Sequence, residues 1–545
     1  MFYVIIPSAV LVPEELQNMG KLPPIIYPVN QNIVFDFLYK QYSDLAKYMT
    51  VICFEQAAKI HRRLGKYEGN KVRLLDLKIL KDLGHTIYES IDDNLKSPIV
   101  INFADTIVMD DIFTVEGDAF YYQEDYLNDK WTYFEENDGE ITKIIDKQIL
   151  SSDETKKLFV GVFQLYYPQD FKNCLETAFQ TDGLHMSTFY YALQLYSRKH
   201  PLKAIRTENW FDLGHIDKYY NSSLEVKARE FNHIMIDKER GILRKTSTDK
   251  DKFIGEILWY LKLPKDVEYI RPRIFNYSTS YNTPYVAMEY YSYHTVHELF
   301  LYGDLNYSQW RNVFKRIKFI CDDLSRYTVK DENIKSSLED MYLTKTIQRL
   351  DKLRSDKDFE EFFRKPFSLN GVVYESLDDI VEVLKLSIPQ MLYDVESFCI
   401  IHGDLCFANI MVDSNFNFIK VIDPRGKFGS YDIYGDERYE LAKLFHSIHG
   451  KYDFIIKDLF NVDVNLGSLE IQYQVNDRVR DYDLYEILLS VFRENIDGEK
   501  EKIELIEALL FLSMIPLHGE SKRHQYAMLA TGIQILDNIL RIRRE

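Results

Sequence analysis

The sequence predicts two domains in one chain: an α/β unit on a largely parallel sheet, then a unit in which strands lead and helices dominate. Two observations carry this. Over roughly the first 225 residues, short apolar runs alternate with helical patterns, as in strands joined by crossover helices. After that two strand patterns, a helical one and a further strand run to about residue 291, and the pattern is helical from there to residue 397. Residues 221–229 read as the connection, although 219–230 also reads as one helix handing the chain on.

In the first domain the elements follow in order. Residues 2–7 form an apolar opening strand, 22–29 a Pro-rich segment and 33–42 a helix. Strands are expected over 49–54 and 72–77, each followed by a helix, and over 99–103, ending in Ala104-Asp105. Ligands in such sheets gather at the carboxyl ends of the strands, where Asp105 falls. Residues 128–139 read as exposed loops and short strands.

The second domain holds the more specific pattern. His402-Gly403-Asp404-Leu405-Cys406-Phe407-Ala408-Asn409 follows an apolar run over 398–401. Residues 410–412 form a second run, 413–415 have turn chemistry, and 418–422 read as a return strand delivering Asp423 in Val421-Ile422-Asp423-Pro424-Arg425-Gly426. A loop followed by a hairpin brings Asp404, Asn409 and Asp423 together. Phosphoryl transfer is mostly positioning and charge neutralisation, so it needs a base near the attacking hydroxyl and hard oxygen ligands for magnesium. Asp404 suits the base, Asn409 a neutral metal ligand and Asp423 an anionic one. A chance HxD with a turn asparagine is the plain alternative, and the flanking runs with a strand-borne aspartate weigh against it.

These motifs resemble the aminoglycoside phosphotransferase and choline kinase family. The resemblance implies an α+β, two-lobed, protein-kinase-like fold, here with lobes over 226–291 and 292–545, using ATP and Mg2+. It also implies upstream parts. Strands over 231–236 and 241–247 place Lys245 on the second, and 251–263 is a helix with Phe253, Ile254, Ile257, Leu258 and Leu261 at helical spacing around Glu256. Lys245 and Glu256 are the candidate phosphate-binding pair, with Lys250 and Lys252 as alternative lysines and ordinary surface charge as the plain reading. Met288, Glu289 and Tyr290, in a strand over 285–291, match the hinge that meets adenine. No glycine-rich loop precedes Lys245. Residues 435–444 read as a helix, and His446 and His449 beyond it read as partly buried histidines satisfied by backbone groups. In the resembled family the helical stretch over 292–397 and the C-terminal helices build the acceptor site.

The first domain resembles the sugar-phosphate nucleotidyltransferases, in divergent form, which implies a Rossmann-like, GT-A-type fold. Residues 22–29 keep the Pro-Val ending of that family's lysine-bearing segment but put Pro24 where it has lysine, and residues 8–13 lack its GxGxR loop. Asp105 matches the first metal aspartate, and Trp210-Phe211-Asp212-Leu213-Gly214 supplies Asp212 as the second. Lys147 matches a phosphate-contacting lysine, and Gly161 the strand glycine after it. Two readings compete. In one the domain transfers a nucleotidyl group with Asp105 and Asp212 on magnesium; in the other it binds a second NTP or a sugar nucleotide without chemistry, the lost cradle and lysine having removed transition-state donors.

Composition fits both. With 545 residues, 46% of them hydrophobic, the chain can bury two cores. A net charge of −18 argues against a nucleic-acid partner, which needs clustered Lys and Arg. The five cysteines are scattered without metal spacing, as expected in the reducing cytoplasm. The apolar start over 1–12 is too short to span a membrane, and no membrane insertion is expected. The 14% aromatic content is what ordinary cores contain and equally what a quaternary-ammonium cage needs, so choline is not preferred over a sugar. The expected function is therefore an ATP- and Mg2+-dependent kinase acting on a hydroxyl of a sugar or amino alcohol, fused to a nucleotidyltransferase-like domain, in synthesis of a capsule, polysaccharide or other glycan precursor. The rivals are a bifunctional enzyme with an active first domain and a non-catalytic scaffold that binds nucleotide or sugar phosphate.

Overall fold

The structure, a computed structural model, describes residues 1–29, 32–69, 71–110, 116–126, 129–147, 155–215, 234–237, 239–477 and 480–544. The chain divides into two compact units, Met1–Glu230 and Phe231–Glu545. The helix expected over 219–230, the connection over 221–229 and the first residues of the strand expected from 231 lie outside the described residues.

The first unit is built on one mixed sheet. The strand Phe2–Ser8 lies between Ile99–Asn102 and Ala46–Cys53, and Val72–Asp76 flanks the latter; all these pairings are parallel. Val4, Ile5 and Ile6 are at most 2% exposed, because helices such as Val34–Tyr42 and Leu83–Tyr88 cross over between the strands and cover the sheet. The parallel pattern holds for these four strands. Later strands add antiparallel pairs: Thr155–Leu165 runs against Ile99–Asn102, Ala119–Tyr126 and Thr132–Asn137. Of the exposed loops and short strands expected over 128–139, a short strand is present, but its first half is buried. Thr132–Asn137 is a hairpin strand whose Tyr133 and Phe134 are at most 2% exposed, and Asp138-Gly139, both at positive φ, makes the tight turn.

The second unit opens with an antiparallel sheet ordered Ile234–Asp237, Ile242–Lys245, Tyr285–Glu289 and Ile274–Ser278. The helix Lys250–Lys262 is capped by Asp249, which accepts from the Lys252 amide at 3.3 Å, and buries Phe253, Glu256, Ile257, Trp259 and Tyr260. Trp259 Nε1 donates to Ile401 O at 2.7 Å, tying this helix to the strand before the HGD loop. Helices dominate thereafter, among them Tyr307–Ser325, Leu377–Leu392, Glu437–Ile448, Lys500–Met514 and Lys522–Leu540. A π-helical stretch, Glu339–Thr344, leads into the helix Lys345–Arg354. Residues 292–397 are not wholly helical. Phe367–Leu369 and Val372–Tyr374 form a hairpin about Asn370-Gly371, both at positive φ, and join Phe460–Asn465 and Glu470–Val475 in a small sheet. Asn-Gly between apolar residues is the strongest short hairpin signal, and a helical reading passes over it. Among the described residues no helix is long and apolar enough to cross a membrane.

Candidate functional site

In the second unit the strand Phe398–Ile400 leads into the HGD loop. His402 is fully buried; its Nε2 faces Ile422 O at 3.0 Å and its Nδ1 accepts from the Asp404 amide at 3.3 Å, which sets the tautomer with the proton on Nε2. Burial holds this imidazole down to about 4, so it is a neutral strut. Glu440, from the helix Glu437–Ile448, accepts from the His402 amide at 3.1 Å and the Gly403 amide at 2.6 Å and fixes the loop from below. Asn409 Nδ2 donates to Asp404 O at 2.9 Å and Asp404 Oδ2 at 3.3 Å, which fixes the carboxamide against the loop.

The hairpin follows as its residues dictate. Ile410–Val412 pairs with Ile419–Val421, and Asp413 Oδ1 accepts from the Asn417 and Phe418 amides, both at 2.7 Å, to close the turn. Asp423 then takes a left-handed backbone at φ 58°, held where its amide donates to Tyr260 Oη at 3.0 Å. Gly426, at φ 66°, lies against the helix Lys250–Lys262; a Cβ there would sit 2.1 Å from the Gly255 carbonyl carbon. Only glycine permits both that backbone and that approach.

Lys245 Nζ lies 2.9 Å from both Glu256 carboxylate oxygens and 2.8 Å from Asp423 Oδ1. Of the three candidate lysines, Lys245 is the one at this junction; Lys252 is exposed. Burial pushes the Glu256 carboxyl up, with the nearby Asp423 charge adding to it. Burial opposes the Lys245 ammonium, but Asp423 and Glu256 outweigh it and hold the charge on. Met288 is buried in the strand Tyr285–Glu289. The amides of Glu289 and Tyr290 donate to Arg273 O and Gly241 O, each at 2.8 Å, so these two N–H groups hold the sheet rather than facing a ligand.

Several residues at this site carry no signal in the linear pattern. Lys443 Nζ is 2.9 Å from Asp404 Oδ1. Burial pushes Asp404 up, but the charge and hydrogen bond of Lys443 prevail and bring it down to about 2. Glu440 and Lys443 lie one turn apart on a predicted helix, which is the only clue the sequence offers. The histidine expectation is corrected in detail. His449 Nδ1 is 2.8 Å from the buried Glu507 carboxylate, not on backbone. His446 is 1% exposed between Tyr452 and Phe511, and neither ring nitrogen has a hydrogen-bond partner. It lines a cavity of about 850 Å³ together with Asp404, Lys443 and Arg425.

In the first unit the short strands Thr106–Val108 and Trp210–Asp212 pair, and the Leu213 amide donates to Asp105 O at 2.8 Å. Asp105 and Asp212 are thereby side by side. Burial and then the Asp212 charge push the Asp105 carboxyl up to about 6. A Cβ on Gly214 would come to 2.5 Å from Asp105 Oδ2, so a larger residue there would displace the Asp105 carboxylate. His215, which the motif did not flag, is 3.1 Å from Asp212 Oδ2. Two crowded carboxylates of this kind fit a divalent cation as hard oxygen donors. Lys147 is exposed, and its charge, like that of His215, acts downward on Asp105. Gly161, at φ 91°, sits in the bulge between Phe159 and Phe163, where a Cβ would meet Phe103 at 2.8 Å. Pro24 opens a buried turn, Pro24–Ile26.

No family model matches the chain, and no curated protein does. Solved structures match over its N-terminal part. One is the CTP:phosphocholine cytidylyltransferase of Streptococcus pneumoniae, at 13% identity and TM-score 0.34, covering 42% of this chain and 100% of that one. Another is a UDP-glucose pyrophosphorylase complexed with UDP-glucose, at 14% identity and TM-score 0.35, covering 42% and 99%. A third is HddC from Yersinia pseudotuberculosis, at 14% identity and TM-score 0.33, covering 42% and 100%.

Proposed function

We propose that the second unit is an ATP- and Mg2+-dependent small-molecule kinase that phosphorylates a hydroxyl. The observation that supports this best is Lys245 bridging Glu256 and Asp423, with Asp404 and Asn409 on the adjoining loop. Asn409 Oδ1 and the Asp423 carboxylate are the oxygens that would hold magnesium, which supplies charge neutralisation on the transferred phosphoryl group. Lys245, kept protonated, holds phosphate oxygens and is itself held by Glu256. Asp404 accepts a hydrogen bond from the acceptor hydroxyl and takes its proton as the new O–P bond forms. A carboxylate held near 2 is a weak base. Its role is thus orientation first and proton acceptance late, as a loose transition state requires.

For the first unit we propose a divergent nucleotidyltransferase-like domain that binds a nucleotide or sugar nucleotide, with Asp105 and Asp212 on a divalent cation. The pairing of those carboxylates favours one further reading, in which the domain still transfers a nucleotidyl group and the two units together make an activated glycan precursor. ATP consumption by the full chain against sugars, amino alcohols, sugar acids and sugar phosphates, with Asp423→Asn as control, tests the kinase. Acceptor-dependent turnover lost in the variant supports it, and ATP binding without turnover across the panel counts against it. Pyrophosphate release from CTP, UTP or GTP, with and without Mg2+, separates the two readings of the first unit.

A further inference from the structure

The cavity beside Asp404 has an unusual charge balance. Its wall carries Lys252, Lys345, Arg349, Arg425, Lys427 and Lys443 against three carboxylates, Asp249, Asp251 and Asp404. Asp249 and Asp251 are exposed at the rim, and Asp404 is already paired with Lys443. Lys345, Arg349 and Arg425 have no carboxylate partner among the described residues. Arg349 Nη1 donates to Ser513 O at 3.1 Å, and Arg425 Nη1 donates to Tyr439 Oη at 2.9 Å. The Lys345 ammonium makes neither a hydrogen bond nor an ion pair with any described residue. Lys345 and Arg349 stand one turn apart on the helix Lys345–Arg354 and so share a face, delivered by the π-helical stretch Glu339–Thr344.

Half-buried cations without counter-ions are costly unless something anionic completes them. Burial, and then Arg425, Arg349 and Lys443, push the Lys345 ammonium down to about 6, which expresses the same crowding. Neither Lys245 nor the strand Tyr285–Glu289 contributes to this wall, so it lies on the acceptor side of Asp404 rather than the nucleotide side. His446, buried and without a partner for either ring nitrogen, carries one donor and one acceptor beside the same space. Of the two lining tyrosines, Tyr439 has the Arg425 guanidinium 5.8 Å and the Lys443 ammonium 6.0 Å from its ring centre, and Tyr452 packs on His446. A quaternary ammonium would compete there with the protein's own cations.

Resting on the kinase reading, we infer that the acceptor is a small hydroxylated anion, whose phosphate or carboxylate group seats on Lys345, Arg349 and Arg425 while its hydroxyl meets Asp404. The reaction then moves the γ-phosphoryl group from ATP to that hydroxyl oxygen; the β–γ P–O bond breaks, the O–P bond forms, and the hydroxyl proton passes to Asp404.

Calorimetry on the full chain tests the site without turnover, using glucose 6-phosphate, glucuronate, glucose and ethanolamine as probes. Saturable binding of the phosphate ester or the uronate, absent for glucose and ethanolamine, is expected, and which of the two anions binds identifies the source of the charge. Lys345→Met, which removes no hydrogen bond, should weaken that binding at least about tenfold, and Lys345→Arg should restore most of it. Equal binding of the neutral or cationic probes, no binding of either anion, or a loss confined to ATP would overturn the assignment. ATP consumption measured alongside keeps the two ideas apart. An anion that binds but is not phosphorylated counts against the kinase reading only. Turnover of a neutral or amino acceptor with KM unchanged in Lys345→Met overturns this inference and leaves the kinase standing.

Discussion

Lys443 Nζ stands 2.9 Å from Asp404 Oδ1, so the carboxylate assigned to the acceptor hydroxyl is held by a lysine from a helix more than thirty residues further along the chain. The pair decides both where Asp404 points and at what pH it is ionised.

Removing that lysine should therefore change the pH profile as well as the rate. With Lys443 present, Asp404 is held down to about 2; without it, only the weaker pulls of His402 and Arg425 oppose burial, and the carboxyl rises. Lys443→Met should lower kcat by about 10²-fold and move the acid limb of the rate profile to higher pH. The same depressed value stabilises the fold above the ordinary carboxylate range and is lost as pH falls, so the variant should also lose part of its acid-range stability. An acid limb that stays in place would show that Lys443 does not govern Asp404.

Asp404 and Asp423 should separate kinetically. Asp404→Asn keeps the size of the side chain and its contact to Asn409 but removes the proton acceptor. Turnover should be lost while Mg-ATP affinity stays within a few-fold. Asp423→Asn removes an anionic metal ligand and one of the two carboxylates on Lys245, so Mg-ATP affinity and turnover should fall together. Nucleotide titration and initial rates on the two variants decide it.

The Gly426 backbone offers a stability test. Gly426→Ala forces a side chain into the left-handed region and against Gly255, and should cost about 2–6 kcal/mol from strain and overpacking combined. Gly498→Ala is the control. Its φ of 81° is equally left-handed, but nothing lies within 4 Å of the added carbon, so only strain, about 1–3 kcal/mol, should appear in chemical denaturation.

Anion binding in the cavity should depend on pH through Lys345. The groups facing it are Arg425, Arg349 and Lys443, which with burial push its ammonium down to about 6, and Asp404, which pulls it up. Below that value the lysine is charged in the empty site; above it, an entering anion must draw a proton in. Affinity for sulfate, which does not titrate here, should fall as pH rises from about 5 to about 8, with proton uptake at neutral pH. Lys345→Met should abolish the uptake, read as the dependence of binding heat on buffer ionisation.

In the first unit, magnesium or manganese should raise the melting temperature by binding between Asp105 and Asp212, and Asp212→Asn should remove that rise. An unchanged shift in the variant would place the cation elsewhere.

Much of this site was legible because it is local. The offsets from His402 through Asn409 to Asp423 describe a loop and a hairpin closed by Asp413, and short-range strand and turn chemistry is what a sequence displays openly. Lys245 and Glu256 were readable for the same reason, being a strand residue and a helix residue separated by one turn-bearing connection. In the first unit the parallel strands to residue 102 followed from alternation, whereas the antiparallel strands after them did not, because their partners are chosen by pairing and not by pattern.

The sequence by itself determined the local elements and the chemistry they carry: the loop, the hairpin, the aspartates and the alternating sheet. Tertiary structure alone decided that Glu440 holds the loop, that Lys443 tunes Asp404, and that Lys345 and Arg349 turn the neighbouring cavity cationic. These residues sit on helices whose periodicity tells which face is buried but never what that face meets. Electrostatics depends on separation in space, and that appears only when the helices have packed.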